Sequence, residues 1–158
     1  MREDQLAPAV KKYIEIQYSP VTQGYLRQYC IDNGFSLTTR FDGETQDDKS
    51  FDFHSTVWYT TNTADITNGQ AEVSVTDVEP KGFALFGPDE DILVLEIESE
   101  QLSAIRVDYG ESYELTDEWP EYQAHITLSY AYDGIMPEVA LPDGTKITAT
   151  TLNVKDQK

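Results

Sequence analysis

The chain has 158 residues, enough for one domain with a buried core, and its apolar and aromatic content is that of an ordinary globular protein. A formal net charge of −18 argues against non-specific binding to long DNA or RNA, where basic patches supply most of the affinity; a small anionic ligand gripped locally stays open. No run approaches the roughly 18–20 apolar residues of a membrane span, "MREDQLAPAVKK" has no apolar signal region, and a single cysteine, Cys30, excludes an internal disulfide framework and suits a reducing cytoplasm.

In chain order, "KKYIEIQYSP" alternates, with Ile14, Ile16 and Tyr18 on one face and Tyr13, Glu15 and Gln17 on the other, so a strand is predicted over 11–18. A helix follows, with Ser19 as N-cap and Pro20 at its first position. Tyr25, Tyr29 and Cys30 supply part of its apolar stripe, and Asn33-Gly34 ends it. "TTRFDGETQDDKS" is polar and turn-rich, an exposed loop. A strand over 52–60 contains the first histidine, "TNTADITNG" is a loop, and "AEVSVTDVEPKGFALFG" reads as one or two strands. "GPDED" turns the chain into "ILVLEIES", whose near-continuous apolar character gives it a central position. Ser99 caps a second helix beginning "EQLSAIRV", with Glu100 in its first turn. After the acidic aromatic loop "YELTDEWPEY" comes the second histidine strand, at 124–131. "LPDGT" is a turn and "KITATTLNV" a last alternating strand. The order gives two mixed halves, each with strands and one helix, with no linker between them: a duplicated-looking α+β domain over 1–158.

The two histidines stand in the same local context, "HST" at 54–56 and "HIT" at 125–127, one in each half. On a strand, residues two apart share a face, so His54 projects with Thr56 and His125 with Thr127, while Ser55 and Ile126 point the other way. Two such pairs facing one another across a cleft have a clear use. One imidazole takes a proton from a nucleophile and the other gives one to a leaving oxygen, since histidine titrates near pH ~6.5. The threonine hydroxyls donate to non-bridging phosphate oxygens.

Two H-x-T motifs in this arrangement resemble the 2H phosphoesterase superfamily. "EWPEYQAHITLSYAYD", and "YIEIQYSP" followed by a helix, look most like the phage anti-CBASS cyclic-oligonucleotide phosphodiesterases. The chain departs from many members of the superfamily at Ala124, where they have proline, and nothing after Pro137 is matched. The resemblance implies a bilobal fold, two mixed sheet-and-helix lobes related by a pseudo-two-fold around a central cleft. It implies His54, Thr56, His125 and Thr127 as the catalytic quartet. It also places Tyr13 where an aromatic stacks on a base, a position that equally fits a half-buried strand tyrosine. Trp58 shares the face of His54 by alternation, which fits stacking or core packing, and Ser129 continues the face of the second motif. The implied activity is metal-independent cleavage of 3′,5′-linked cyclic di- or trinucleotide immune messengers, as counter-defence in an infected bacterial cytoplasm. The alternatives are a 2′,3′-cyclic phosphodiesterase working on RNA ends and a non-catalytic nucleotide sponge.

Other chemistries find little support. Zinc or iron would want more histidine or cysteine than two plus one, so neither metal nor cofactor is expected. "DGETQDD" and "PDEDI" lack calcium-loop spacing, and no Gly-rich phosphate loop is present. Cys30 reads as packing rather than nucleophile.

Overall fold

A computed structural model describes residues 12–39, 44–60, 66–113, 115, 122–130, 132, 141 and 146–156. Six strands and two long helices follow one another as β1 (Lys12–Tyr18), α1 (Pro20–Asp32), β2 (His54–Thr60), β3 (Gly69–Phe86), β4 (Ile92–Glu98), α2 (Glu100–Tyr113), β5 (His125–Ser129) and β6 (Ile147–Asp156), with a short 3₁₀ turn at Asp48–Ser50. The strands form one sheet in the order β2-β1-β6-β3-β4-β5, and every pairing is antiparallel. The fold is thus α+β. Its strand order reads alike from both ends: β1-α1-β2 occupies one flank, β4-α2-β5 the other, and each histidine strand is an edge. Among the described residues no helix is long and apolar enough to cross a membrane. Parts of "TTRFDGETQDDKS", "TNTADITNG", "YELTDEWPEY" and "LPDGT", and the chain after Pro137 up to Ala140, lie outside the described residues.

"AEVSVTDVEPKGFALFG" forms a single strand that serves two partners. Its first part, up to Val78, pairs with β6 and its second, from Glu79, with β4, and a bulge between Pro80 and Gly82 follows just after the change. Proline lacks the ladder N–H and a bulge bends its strand, so one chain segment can change direction without leaving the sheet. The core is built from the predicted alternation. Ile14, Ile16 and Tyr18 of β1, Leu93 and Leu95 of β4, Ile126 and Leu128 of β5, and Leu152 of β6 are all buried, together with Leu26, Tyr29 and Cys30 of α1. Tyr25 corrects the expected stripe: it is exposed, and Leu26 takes the buried position.

Both helix starts form as expected. Ser19 Oγ accepts from the Thr22 backbone N–H, and Ser99 Oγ accepts from that of Leu102. The Ser99 hydroxyl also donates to Asp77 Oδ1 on β3, so the cap fastens α2 to the sheet. Ser99→Ala is expected to cost about 0.5–2 kcal/mol in urea-unfolding stability, the usual effect of a lost cap. Gly110, inside α2, has a packing reason. A Cβ there would lie 2.7 Å from the Trp58 ring, so the glycine lets the helix close onto β2.

Candidate active site

Alternation on the two edge strands directs His54 and Thr56, and His125 and Thr127, into the same cavity. It has a volume of about 210 Å³ and is completed by Tyr13, Phe86, Ile92 and Tyr130. The predicted quartet, distant in sequence, is therefore gathered in one place. Ser55 helps hold it together: its buried hydroxyl donates to the His125 carbonyl at 2.6 Å and lies 2.7 Å from the Tyr18 hydroxyl. The residue that alternation turns away from the cavity thus ties one histidine strand to the other. Ser55→Ala leaves two buried polar groups without this partner and is expected to cost about 1–3 kcal/mol, read from the shift in thermal unfolding.

The two rings are held alike at one nitrogen. His54 Nδ1 faces the Asp52 carbonyl at 3.0 Å, and His125 Nδ1 faces the Gln123 carbonyl at 2.8 Å. A carbonyl only accepts, so each Nδ1 carries the hydrogen and each Nε2 is the working nitrogen. Their surroundings differ. Burial, with the Phe86 ring edge-on at 4.8 Å between centroids, pushes the His125 imidazole below its ordinary value. Its neutral ring then offers a lone pair at Nε2. His54 Nε2 instead lies 3.4 Å from Glu15 Oε2.

Each threonine hydroxyl is backed by a tyrosine. Tyr13 Oη is 2.6 Å from Thr56 Oγ1, and Tyr130 is hydrogen-bonded to Thr127. Burial pushes both phenols upward, so they stay protonated and can donate to the threonines. Each threonine then keeps its own hydrogen for an oxyanion in the cavity.

A larger cavity of about 860 Å³ adjoins the first and shares Thr56, Phe86 and His125 with it; Tyr59, Glu90, Arg106, Tyr122 and Gln123 are among its walls. The Arg106 guanidinium lies 3.7 Å from the Trp58 ring centroid and 4.0 Å from that of Tyr122, and it donates to the Val57 carbonyl. Tyr122 in turn donates to the Thr56 carbonyl. This layered cluster pins α2 and the approach to β5 against β2.

Two expected substrate contacts fall elsewhere. Trp58 is buried under Arg106, donates its indole N–H to the Arg106 carbonyl, and lines neither cavity. The reason is a bulge: Ile14 pairs with Trp58 but Glu15 pairs with Thr56, so Val57 is extra and Trp58 leaves the face of the histidine. Ser129 is fully buried and donates to the Ser36 carbonyl. Glu15, on the face of β1 that carries Tyr13 and Gln17, is only 1% exposed. Tyr13 does reach the cavity, by its hydroxyl at Thr56 and with its ring edge-on to His54. Tyr122 and Tyr130 were not legible as site residues: Tyr122 precedes the histidine strand, and alternation over 124–131 puts Tyr130 on the face of Ile126, whereas β5 ends at Ser129.

Among the described residues no group of three or more His, Cys, Asp or Glu side chains is gathered as a metal site. Cys30 is buried and its thiol is pushed up to about 12 by desolvation, which suits packing. A comparison with curated proteins found no match. Residues 13–154, which carry both histidine motifs, both helices and all but the outer ends of β1 and β6 among the six strands, match the family described as "Anti-CBASS protein Acb1". By that match over most of its length, with both motifs turned into one cavity, the chain belongs to the Acb1 family of anti-CBASS proteins.

Proposed function

We propose that this anti-CBASS protein is a phosphodiesterase that opens 3′,5′-linked cyclic di- or trinucleotide messengers in the cytoplasm of an infected bacterial cell. The carrying observation is the convergence of His54, Thr56, His125 and Thr127 on one cavity of about 210 Å³. That space suits a phosphodiester and its flanking sugar atoms. The adjoining cavity of about 860 Å³ has the size at which small-molecule sites bury most of their ligand, and gives the nucleosides a place. The strand order that reads alike from both flanks supports a single bilobal, 2H phosphoesterase-like domain over 1–158, with the cleft between its halves.

In this reading the ribose 2′-hydroxyl, or a water, attacks phosphorus. One imidazole accepts the nucleophile's proton, and the other protonates the departing 5′-oxygen as its bond to phosphorus breaks. Thr56 and Thr127, backed by Tyr13 and Tyr130, donate to the non-bridging oxygens as charge develops there. Tyr13 also contributes ring surface to the cavity wall. The chemistry asks nothing of a metal ion. Incubation with cyclic GMP–AMP in excess EDTA, followed by separation of products, is expected to give linear product. Intact ligand released only on heat denaturation would identify a sponge instead, and cleavage confined to 2′,3′-cyclic ends an RNA-end enzyme.

A further inference from the structure

Glu15 is the least expected group near the site. It stands on β1 opposite Thr56 of β2 and Asn153 of β6, and is 1% exposed. Its Oε1 is held by Lys155 Nζ at 2.8 Å and by Asn153 Nδ2 at 3.4 Å. Its Oε2 is, among the described residues, the buried side-chain oxygen or nitrogen that has no hydrogen bond. A carboxylate oxygen left so costs folding free energy, and strands favour other residues, so stability does not explain it. What Oε2 faces is His54 Nε2, 3.4 Å away.

We infer that Glu15 is a positioning residue for His54, holding that imidazole as the proton donor to the leaving oxygen and leaving His125 as the base. This deepens the phosphodiesterase reading and rests on it. Both ring nitrogens of His54 face acceptors, the Asp52 carbonyl and the Glu15 carboxylate, an arrangement served by a ring carrying two hydrogens. At 3.4 Å the carboxylate attracts the Nε2 hydrogen without fixing it in a short hydrogen bond, so a leaving oxygen entering the cavity can take it. His125 has the opposite setting: its Nδ1 is satisfied by Gln123, no carboxylate among the described residues lies within ion-pair distance of its Nε2, and its ring packs against Phe86. Lys155, half-exposed, fixes the carboxylate from the far side and lies 5.4 Å from the Tyr13 ring centroid, so β6 braces the arrangement.

The test uses two substrates, a cyclic dinucleotide and its 5′-bridging phosphorothiolate analogue, in which sulfur replaces the departing oxygen. A thiolate leaves without a proton because thiols are far stronger acids than alcohols. With the oxygen substrate, Glu15→Gln is expected to lower kcat about 10–100-fold with KM little changed, less than the ~10²–10⁴-fold that a general acid itself supplies. With the sulfur substrate, the losses in Glu15→Gln and His54→Ala should shrink to within about threefold of wild type, while His125→Ala stays impaired on both. Equal losses on the two substrates would make Glu15 merely structural and overturn the inference, as would a sulfur rescue confined to His125→Ala. Failure of wild type to cleave either substrate overturns the phosphodiesterase reading, and the inference with it. Should Glu15→Gln not fold by circular dichroism, Lys155→Gln at its half-exposed site carries the test: a smaller loss, likewise rescued by sulfur, supports the inference, and an unrescued loss or none overturns it.

Discussion

Replacing either His54 or His125 with alanine is expected to lower single-turnover cleavage of a cyclic dinucleotide by about 10²–10⁴-fold while the protein keeps its fold. Both rings stand on the wall of a cavity rather than in the core, and each is only partly buried. Their Nδ1 bonds run to carbonyls two residues back in the same chain, so truncation exposes those carbonyls to water in the cleft and leaves no cavity among packed side chains. Loss of rate would then report loss of a proton carrier. The double variant should be little slower than the slower single one, because an acid and a base acting on one phosphorus work as a unit. Circular dichroism and thermal unfolding check the fold. A folded variant of either histidine that turns over like wild type would end the paired-imidazole mechanism.

The elements that carried clear local signals were legible in the sequence. Alternation in "YIEIQY" assigned the faces of β1 correctly, and the serine caps located both helix starts. The repeated His-x-Thr pattern picked out four side chains that meet in space, because a strand fixes where residues two apart point. What failed depends on pairing between strands. The extra residue Val57 exists only in the register of β2 against β1, and it turned Trp58 from the cleft to Arg106. Alternation gave Glu15 its face but not its depth, which is set by β2 on one side and β6 on the other. Whether "AEVSVTDVEPKGFALFG" made one strand or two was likewise settled by its partners, β6 along its first part and β4 along its second. Ser55 was assigned to the face turned away from His54, where it is buried, but its bond to the His125 carbonyl crosses between edge strands that no local pattern relates.

The pH profile of kcat/KM is expected to be a bell with limbs falling about tenfold per unit, its acid limb below the ordinary imidazole value of about 6.5. With His125 as base, that limb is set by protonation of its ring. Desolvation is the main influence on the ring and lowers its value; its Gln123 bond and the facing Glu96 on β4 oppose this less strongly, while His54 adds to it. The same displacement fixes the sign of a stability effect. As pH falls below about 6.5 the unfolded chain takes up a proton at this position before the folded ring does, so protonation favours unfolding. Stability contributed at His125 is therefore complete above the unfolded value and is lost as pH falls from there through the lower folded value, where the loss levels off. Thermal unfolding of wild type and His125→Gln between pH 5 and 8 should converge at the acid end and diverge towards neutrality, relative to one another, by this amount. An acid limb above the ordinary imidazole value, or parallel unfolding curves in the two proteins, would mean that the apolar wall at Phe86 does not keep the ring neutral, and the assignment of His125 as base would lose its physical ground.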